Sequence, residues 1–312
     1  MTQLFSRRHF LHLAGVAGTG LMLTGHRGSL AATPVEPPFR ISLAEWSVHR
    51  MIFDEALLTN LQFPAFARSL GFEAVEFVNT CFFDKASSPA YLTELRSICR
   101  QEGIKSLLIM CDNEGMVGHP DHRERLQTLE NHKKWIDAAA YLGCHSVRVN
   151  AGSTGSYEEQ QKLASDGLHL LCEYGDTAGI HILVENHGGL SSNADWLAGV
   201  MQLTAHKRLG TLPDFGNFRI SETESFDPYR GMEILMPWAR GVSAKSHDFD
   251  DQGGETATDY PRMLRIVLDS GFNGYIGVEY EGTRLPEKEG ILATRMLLEK
   301  CATAFTTPAG KG

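Results

Sequence analysis

Paired cysteines are missing from this sequence. The 312 residues include six cysteines, but no CxxC motif and no spacing of the metal-binding type. A disulfide framework is not expected in so long a chain with so few cysteines, and a cysteine-ligated zinc site is also excluded. We interpret most of these cysteines as small buried hydrophobic residues. The six are Cys81, Cys99, Cys111, Cys144, Cys172 and Cys301.

Positive charge is also in short supply. The chain has 29 lysines and arginines against 38 aspartates and glutamates, a formal net charge of −9. Nucleic-acid binding depends largely on neutralising phosphates with basic side chains, so nucleic acid is not expected as a partner. With 42% hydrophobic and 21% charged residues, the composition is that of a globular protein with enough apolar material for a sizeable core.

No uninterrupted apolar run is long enough to cross a membrane comfortably. The most apolar stretch, residues 13–23, is broken by glycines and follows Ser6-Arg7-Arg8-His9-Phe10-Leu11. Residues 1–32 resemble a twin-arginine signal peptide, with small residues before the expected cleavage point. The alternatives are a short membrane anchor or an incidental arginine pair. The resemblance implies export by the twin-arginine translocation machinery, a periplasmic location and no membrane attachment after cleavage.

The rest of the chain alternates between strand and helix patterns. After a linker at 33–40, eight apolar strands are each followed by a helical segment, and a glycine commonly ends the helix. The first strand lacks the glycine-rich turn that a doubly wound nucleotide-binding sheet would have. Eight consecutive βα units predict a (β/α)8 TIM barrel over residues 41–303, followed by a flexible tail at 304–312.

Polar side chains follow every predicted strand. In a TIM barrel all strand carboxyl ends open on one face, so these residues would converge although they are distant in sequence. Arg148 and His181 sit within strands, where they would face the barrel interior or pack in a layer. The residues at strand ends are Glu45 and His49, Asn79, Asp112 and Glu114, Asn150, Glu185 and His187, Asp214 and Asn217, Lys245, His247 and Asp248, and Glu279 and Glu281.

Three carboxylates in this set point to a metal. Glu185, Asp214 and Glu279 follow strands 5, 6 and 8, and they would repel one another around one axis unless a cation lay between them. Oxygen-rich ligation suits Mn²⁺, Mg²⁺ or Co²⁺, with Zn²⁺ also possible. The sequence therefore predicts a divalent metal as cofactor.

Four segments carry a family resemblance. The sequence resembles the sugar phosphate isomerase/epimerase family, whose fold is a xylose isomerase-like TIM barrel. That resemblance implies metal binding by Glu185, Asp214 and Glu279. The segments are Glu185-Asn186-His187-Gly188-Gly189, Leu212-Pro213-Asp214-Phe215-Gly216-Asn217-Phe218, residues 242–248, and Gly271-Phe272-Asn273-Gly274-Tyr275-Ile276-Gly277-Val278-Glu279.

Strand 7 departs from the family pattern. Ser243 stands where the family usually has a histidine ligand, and Asn217 where the epimerases have a substrate-contacting histidine. His247 shares the strand parity of Ser243, and we predict that it is the fourth ligand. Alternatively, the metal is weakly held or absent and Lys245 supplies positive charge among the carboxylates. A third alternative is that His247 is a loop histidine hydrogen-bonded to Asp248 or Asp250.

The resemblance implies an isomerase or epimerase that acts on a carbohydrate through an enediolate. Glu185, Glu279 and Lys245 would be the catalytic residues. The expected substrate-binding residues are Glu45, Trp46, Asp112, Asn150, His187 and Asn217. The alternatives are a lyase or hydrolase of 3-keto-glycosides on the same site and a non-catalytic sugar-binding barrel. The sequence leaves open whether the chain forms a homo-oligomer.

Overall fold

The structure, a computed structural model, describes residues 37–306. The predicted twin-arginine signal peptide and the first half of the linker lie outside this range, as do the last six residues of the expected tail. Among the described residues, no helix combines the length and apolar character needed to cross a membrane.

Eight strands and nine helices alternate along the described chain. The strands are β1 (Arg40–Ala44), β2 (Ala74–Val78), β3 (Lys105–Met110), β4 (Ser146–Val149), β5 (His181–Val184), β6 (Leu209–Thr211), β7 (Val242–Ser246) and β8 (Tyr275–Tyr280). The helices are α1 (His49–Phe53), α2 (Phe63–Ser69), α3 (Pro89–Glu102), α4 (His122–Leu142), α5 (Tyr157–Ala178), α6 (Ala194–Thr204), α7 (Pro228–Leu235), α8 (Tyr260–Asp269) and α9 (Glu287–Thr306).

The strands form one parallel sheet that curls into a barrel. Its order is β6-β5-β4-β3-β2-β1-β8-β7. The two end strands meet through a short parallel bridge between Asp214 and Ser243, where the Ser243 backbone N–H donates to Pro213 O at 2.9 Å. The predicted (β/α)8 TIM barrel of the xylose isomerase-like type is thus confirmed.

Alternation along each strand divides the side chains between two layers. The outward residues pack against the helices in one large apolar core. The inward residues form a much smaller apolar group, made of Ala44, Val78, Leu108, Met110, Leu183 and Leu212. Polar inward residues follow this apolar group towards the carboxyl ends of the strands.

Two elements differ from the expected boundaries. Trp46 does not extend β1, because a short 3-10 helix begins at Glu45 and leads into α1, which the sequence pattern did not indicate. At the other end, α9 continues to Thr306, three residues past the expected domain end at 303.

Candidate active site

Three carboxylates meet at the carboxyl end of the barrel. Glu185 follows β5 with the same inward parity as Leu183, Asp214 continues the parity of Leu212 beyond β6, and Glu279 lies inside β8. One oxygen from each lies within 4.8 Å of the other two, and all three residues are buried. We call these residues the carboxylate cluster.

Glu185 is held from two sides. Its Oε1 accepts a hydrogen bond from Asn217 Nδ2 at 2.9 Å, and its Oε2 lies 2.8 Å from Arg148 Nε. That second contact is an ion pair without a hydrogen bond, because the Arg148 N–H does not point at the oxygen. Burial raises the pKa of Glu185 to about 7, against the opposing charge of Arg148.

Asp214 has one oxygen engaged and one free of hydrogen bonds. Its Oδ1 accepts from the backbone N–H groups of Gly216 and Asn217, each at 2.8 Å. Its Oδ2 is buried with no hydrogen-bond partner among the described residues, and Lys245 Nζ lies 4.0 Å away. Burial raises the pKa of Asp214 to about 8.

Glu279 is the most strongly stabilised anion of the cluster. Ser243 Oγ donates to its Oε2 at 2.6 Å, and Lys245 Nζ lies 3.2 Å from its Oε1. Burial opposes ionisation, but Lys245 and Ser243 outweigh it and lower the pKa of Glu279. Lys245 also reaches Glu281 Oε1 at 3.0 Å, and these carboxylates raise its pKa well above the ordinary value despite its burial.

The cluster fits a divalent cation in its chemistry. Two of its buried oxygens, Glu185 Oε2 and Asp214 Oδ2, accept no hydrogen bond, although buried polar atoms rarely stay unsatisfied. Carboxylate oxygens are the ligands that Mg²⁺ and Mn²⁺ prefer. The three carboxylates also outnumber the two cations in contact with them, Arg148 and Lys245. The structure therefore has a possible acidic metal site formed by Glu185, Asp214 and Glu279.

His247 is not brought into the cluster. Its side chain is 47% exposed, and its Nε2 lies 4.0 Å from Glu281 Oε2. The strand-7 position that the family pattern gives to a histidine is occupied by Ser243, bonded to Glu279. Lys245 instead places its charge among the carboxylates, which is the geometry of the second alternative raised by the sequence.

The other predicted substrate-binding residues lie in different settings. Asp112 and Asn150 form a group with Arg148, in which Asp112 Oδ1 lies 2.7 Å from Arg148 Nη1 and 2.8 Å from Asn150 Nδ2. Burial alone would raise the pKa of Asp112, but the positive charge of Arg148 outweighs burial and lowers this pKa overall. His187 is exposed after β5. Asn217 bridges Glu185 and Asp214 and so orients two members of the carboxylate cluster.

Of the two substrate-binding residues predicted after β1, Trp46 is accessible to a ligand and Glu45 is not. Glu45 is fully buried, its Oε1 accepts from Asn60 Nδ2 at 2.8 Å and its Oε2 from the Val78 N–H at 3.0 Å. With both oxygens engaged, Glu45 ties β1 to β2 rather than offering a group to substrate. Trp46 is partly exposed and stacks on His49 with ring centroids 4.9 Å apart, so it can still form a wall of the mouth.

Two residues that organise the cluster were not predicted as site residues. Arg148 was expected to face the barrel interior or to pack in a layer, and the structure pairs it with Glu185 and Asp112. Asn186 donates to Asp214 O at 3.0 Å and accepts from the Asp214 N–H at 2.8 Å. It carries no sequence signal beyond its place next to Glu185.

The family assignment follows from comparison with known proteins. Residues 64–301 match the model of the xylose isomerase-like TIM barrel family, and the chain belongs to that family.

Similarity to individual proteins is confined to a short segment or to the fold. A segment of 48 residues is 42% identical to the C-glycoside deglycosidase alpha subunit of Arthrobacter globiformis, covering 15% of this chain and 14% of that relative. The 3-keto-D-glucoside 4-epimerase of E. coli superposes with a TM-score of 0.67 at 15% identity, over 84% of this chain and 100% of that chain.

A xylose isomerase-like TIM barrel protein from Mycobacterium smegmatis, in complex with magnesium, gives a TM-score of 0.65 at 18% identity, over 86% and 98%. At these identities the structural matches demonstrate a shared fold. The curated relative is matched over a small part of its length, so its activity does not transfer to this chain directly.

Proposed function

We propose that this protein is a sugar isomerase or epimerase that removes and returns a proton at a carbon next to a carbonyl group. The observation that carries the proposal is the carboxylate cluster, in which two buried glutamates and an aspartate share one small volume with Lys245. Positioned carboxylates are suited to proton abstraction and return, and a buried lysine is suited to stabilising the oxyanion that forms.

Glu185, Asp214 and Glu279 would hold a divalent cation, with Mn²⁺, Mg²⁺, Co²⁺ or Zn²⁺ as candidates. When bound, such an ion acts as a Lewis acid that polarises a substrate carbonyl and so acidifies the neighbouring C–H bond.

Proton transfer falls to the two glutamates. A carboxylate, Glu279 or Glu185, takes the proton from carbon, and the electron pair of the C–H bond moves towards the carbonyl oxygen to give an enediolate. Return of a proton to the opposite face of the same carbon epimerises it. Return to the former carbonyl carbon, with transfer of the neighbouring hydroxyl proton to the former carbonyl oxygen, isomerises the sugar. The contacts of Glu279 with Ser243 and Lys245 favour its ionised form, which a base requires.

Neighbouring residues would orient these groups. Arg148 and Asn217 fix the two oxygens of Glu185. Lys245 would face the charge that develops on the substrate oxygen, and Asn150 and His187, which follow β4 and β5, would bind hydroxyl groups. Trp46 would pack against a sugar ring.

A second candidate is elimination or hydrolysis of a 3-keto-glycoside. It begins with the same proton abstraction next to a carbonyl. The carbonyl then re-forms, a C=C bond forms to the carbon that carries the aglycone, and the aglycone leaves with its electron pair and takes up a proton. Hydrolysis is completed by addition of water to the C=C bond. The segment shared with a C-glycoside deglycosidase subunit supports this candidate. The twin-arginine-like start of the chain also favours an unphosphorylated substrate, since sugar phosphates are mainly cytoplasmic.

The test is substrate proton exchange in D2O, followed by NMR with a 3-keto-glucoside and with a free ketose. We expect deuterium to enter at the carbon next to the carbonyl. Glu185→Gln and Glu279→Gln should each slow exchange at least 100-fold, since each removes a group that moves the proton. Glu233→Gln, an exposed glutamate on α7, is the matched control and should exchange at the wild-type rate.

The products separate the two candidates. Retention of the glycosidic bond with an altered stereocentre indicates an epimerase, and release of the aglycone indicates the lyase or hydrolase. If neither substrate exchanges in wild-type protein, or if both glutamine variants exchange as fast as wild type, the proposal is wrong.

A further inference from the structure

The end of the barrel opposite the carboxylate cluster is rich in basic residues. Arg40 and His181 are the first residues of β1 and β5, His145 directly precedes β4, and Arg240 lies two residues before β7. Because all eight strands are parallel, their amino ends share one end of the barrel. We call Arg40, His145, His181 and Arg240 the cationic basin.

The basin lines a cavity of about 590 Å³. A second cavity of about 370 Å³ adjoins it through His145 and is lined by Arg96, Arg100 and Lys105. Neither lining includes an aspartate or a glutamate. Both volumes fall in the range of small-molecule sites, roughly 300 to 1,000 Å³. The two cavities together form a concave surface of one charge sign on an acidic protein.

The basic groups of this surface lack acidic partners. Among residues 37–306, no carboxylate oxygen lies within 4.0 Å of the side chains of Arg40 or Arg240. Arg40 instead lies over the Tyr275 ring at 4.2 Å, and Arg240 donates to the Lys207 carbonyl at 3.2 Å. Lys207 itself is paired with Asp176 at 2.8 Å. The missing counter-charge is therefore a feature of the basin rather than of this region as a whole.

The two histidines differ in what they can offer an anion. Nδ1 of His181 donates to Arg208 O at 3.2 Å, so Nε2 of the neutral ring is an acceptor. Nδ1 of His145 lies 2.6 Å from Ser146 Oγ, which can donate to it and so leave the Nε2–H of His145 as a donor. Within the described part of the chain, neither Nε2 makes a hydrogen bond or an ion pair. Burial and then the positive charge of Arg240 lower the pKa of His181, which favours its neutral form.

We propose that the cationic basin binds a small multivalent oxyanion, with phosphate or carboxylate groups held by the two arginines and by His145. Guanidinium groups bind such oxyanions through paired hydrogen bonds. The concave shape fits a small molecule, and the net charge of −9 disfavours a nucleic acid. This site is independent of the proposed catalytic function, since it lies at the other end of the barrel.

The experiment is calorimetric titration with inorganic pyrophosphate, in EDTA and at constant ionic strength. We expect saturable binding that the Arg40→Gln/Arg240→Gln double variant weakens at least tenfold. Arg40→Gln alone, which changes an exposed side chain, should weaken binding as well and serves if the double variant melts early. Lys207→Gln, whose ammonium group is already paired, should change the affinity less than threefold.

Lys245→Gln tests the location, because it removes a cation at the opposite end of the barrel. The proposal predicts that this variant binds pyrophosphate as wild type does. Absence of saturable binding to wild type, or wild-type affinity in both basin variants, would overturn it. So would loss of binding in Lys245→Gln, since that result would place the anion at the carboxylate cluster.

Discussion

Arg148 and Lys245 account for how three carboxylates can share a small buried volume. Each contacts one glutamate of the cluster, at 2.8 Å for Arg148 and Glu185 and at 3.2 Å for Lys245 and Glu279. Asp214 has no such close partner, and its Oδ2 accepts no hydrogen bond. Buried charges need compensation, so the uncompensated side of the cluster is where a further cation would bind.

Glu76 is a buried carboxylate below the cluster and gives a pH-dependent prediction. Its Oε1 accepts from Ser42 at 2.6 Å, while its Oε2 has no hydrogen-bond partner within residues 37–306. Burial raises its pKa from 4.5 to about 7. The folded state therefore keeps a proton that the unfolded state loses, and the stability contributed by Glu76 falls as pH rises from 4.5 to 7.

Glu76→Gln should remove this loss. Below pH 4.5 the variant and wild type should have similar free energies of unfolding, and above pH 7 the variant should be more stable by up to about 3 kcal/mol. Urea denaturation at several pH values measures the difference. A difference that does not change with pH would show that Glu76 is not protonated in the folded protein at neutral pH.

The positions of side chains at the ends of regular strands could be predicted from the sequence. The positions of side chains in the loops that follow could not. Glu185, Asp214 and Glu279 were predicted to converge because inward parity continues from an apolar strand to its end. His247 has that parity too, but it lies beyond Ser246, and its N–H bonds to Glu255 Oε1 at 3.1 Å in a loop that leaves the barrel. Glu45 turns away because a 3-10 helix starts directly after β1.

The ends of β5 and β6 are joined by a side chain rather than by the sheet alone. Asn186 bonds to both the N–H and the C=O of Asp214 and donates to Asn217 O at 3.1 Å. These three bonds fix the backbone of Asp214 and Asn217. Asn186→Ala would leave buried backbone groups unsatisfied, at a cost of about 1 to 3 kcal/mol.

We expect Asn186→Ala to lower both the free energy of unfolding and the exchange rate of substrate protons, since Asp214 and Asn217 would shift. Asn193→Ala is the matched control. Asn193 caps α6 by accepting from the Trp196 N–H at 3.1 Å, so its loss should cost about 1 kcal/mol with little effect on exchange. Equal exchange rates in the two variants would contradict a positioning role for Asn186.

Most strands and helices could be predicted from the sequence. The strands are short apolar runs, and the long helices α3, α4 and α5 have residues that mark where they begin and end. Helix α5, for example, begins at a capping box of Ser156 and Glu159 and ends at Gly179, where φ is +75°. The five-residue α1 escaped prediction because it buries no residue and so leaves no apolar pattern.

Across the whole molecule, the barrel separates charge along its axis. Carboxylates gather at the carboxyl end of the strands and basic groups at the amino end, although the overall charge is negative. Once the barrel is recognised, the alternation of inward side chains and the position of each residue along its strand place both groups at their ends of the barrel. The precise ion pairs, such as Arg148 with Glu185, depend on side-chain reach and required the structure.

Equilibrium dialysis against Mn²⁺ with metal analysis measures whether the carboxylate cluster holds a divalent cation for proton transfer. We expect one ion per chain, binding at least tenfold weaker in Asp214→Asn, and unchanged binding in His247→Gln, because His247 lies outside the cluster. Absence of a bound ion in wild type, or equal affinity in wild type and Asp214→Asn, would show that the cluster is not a metal site.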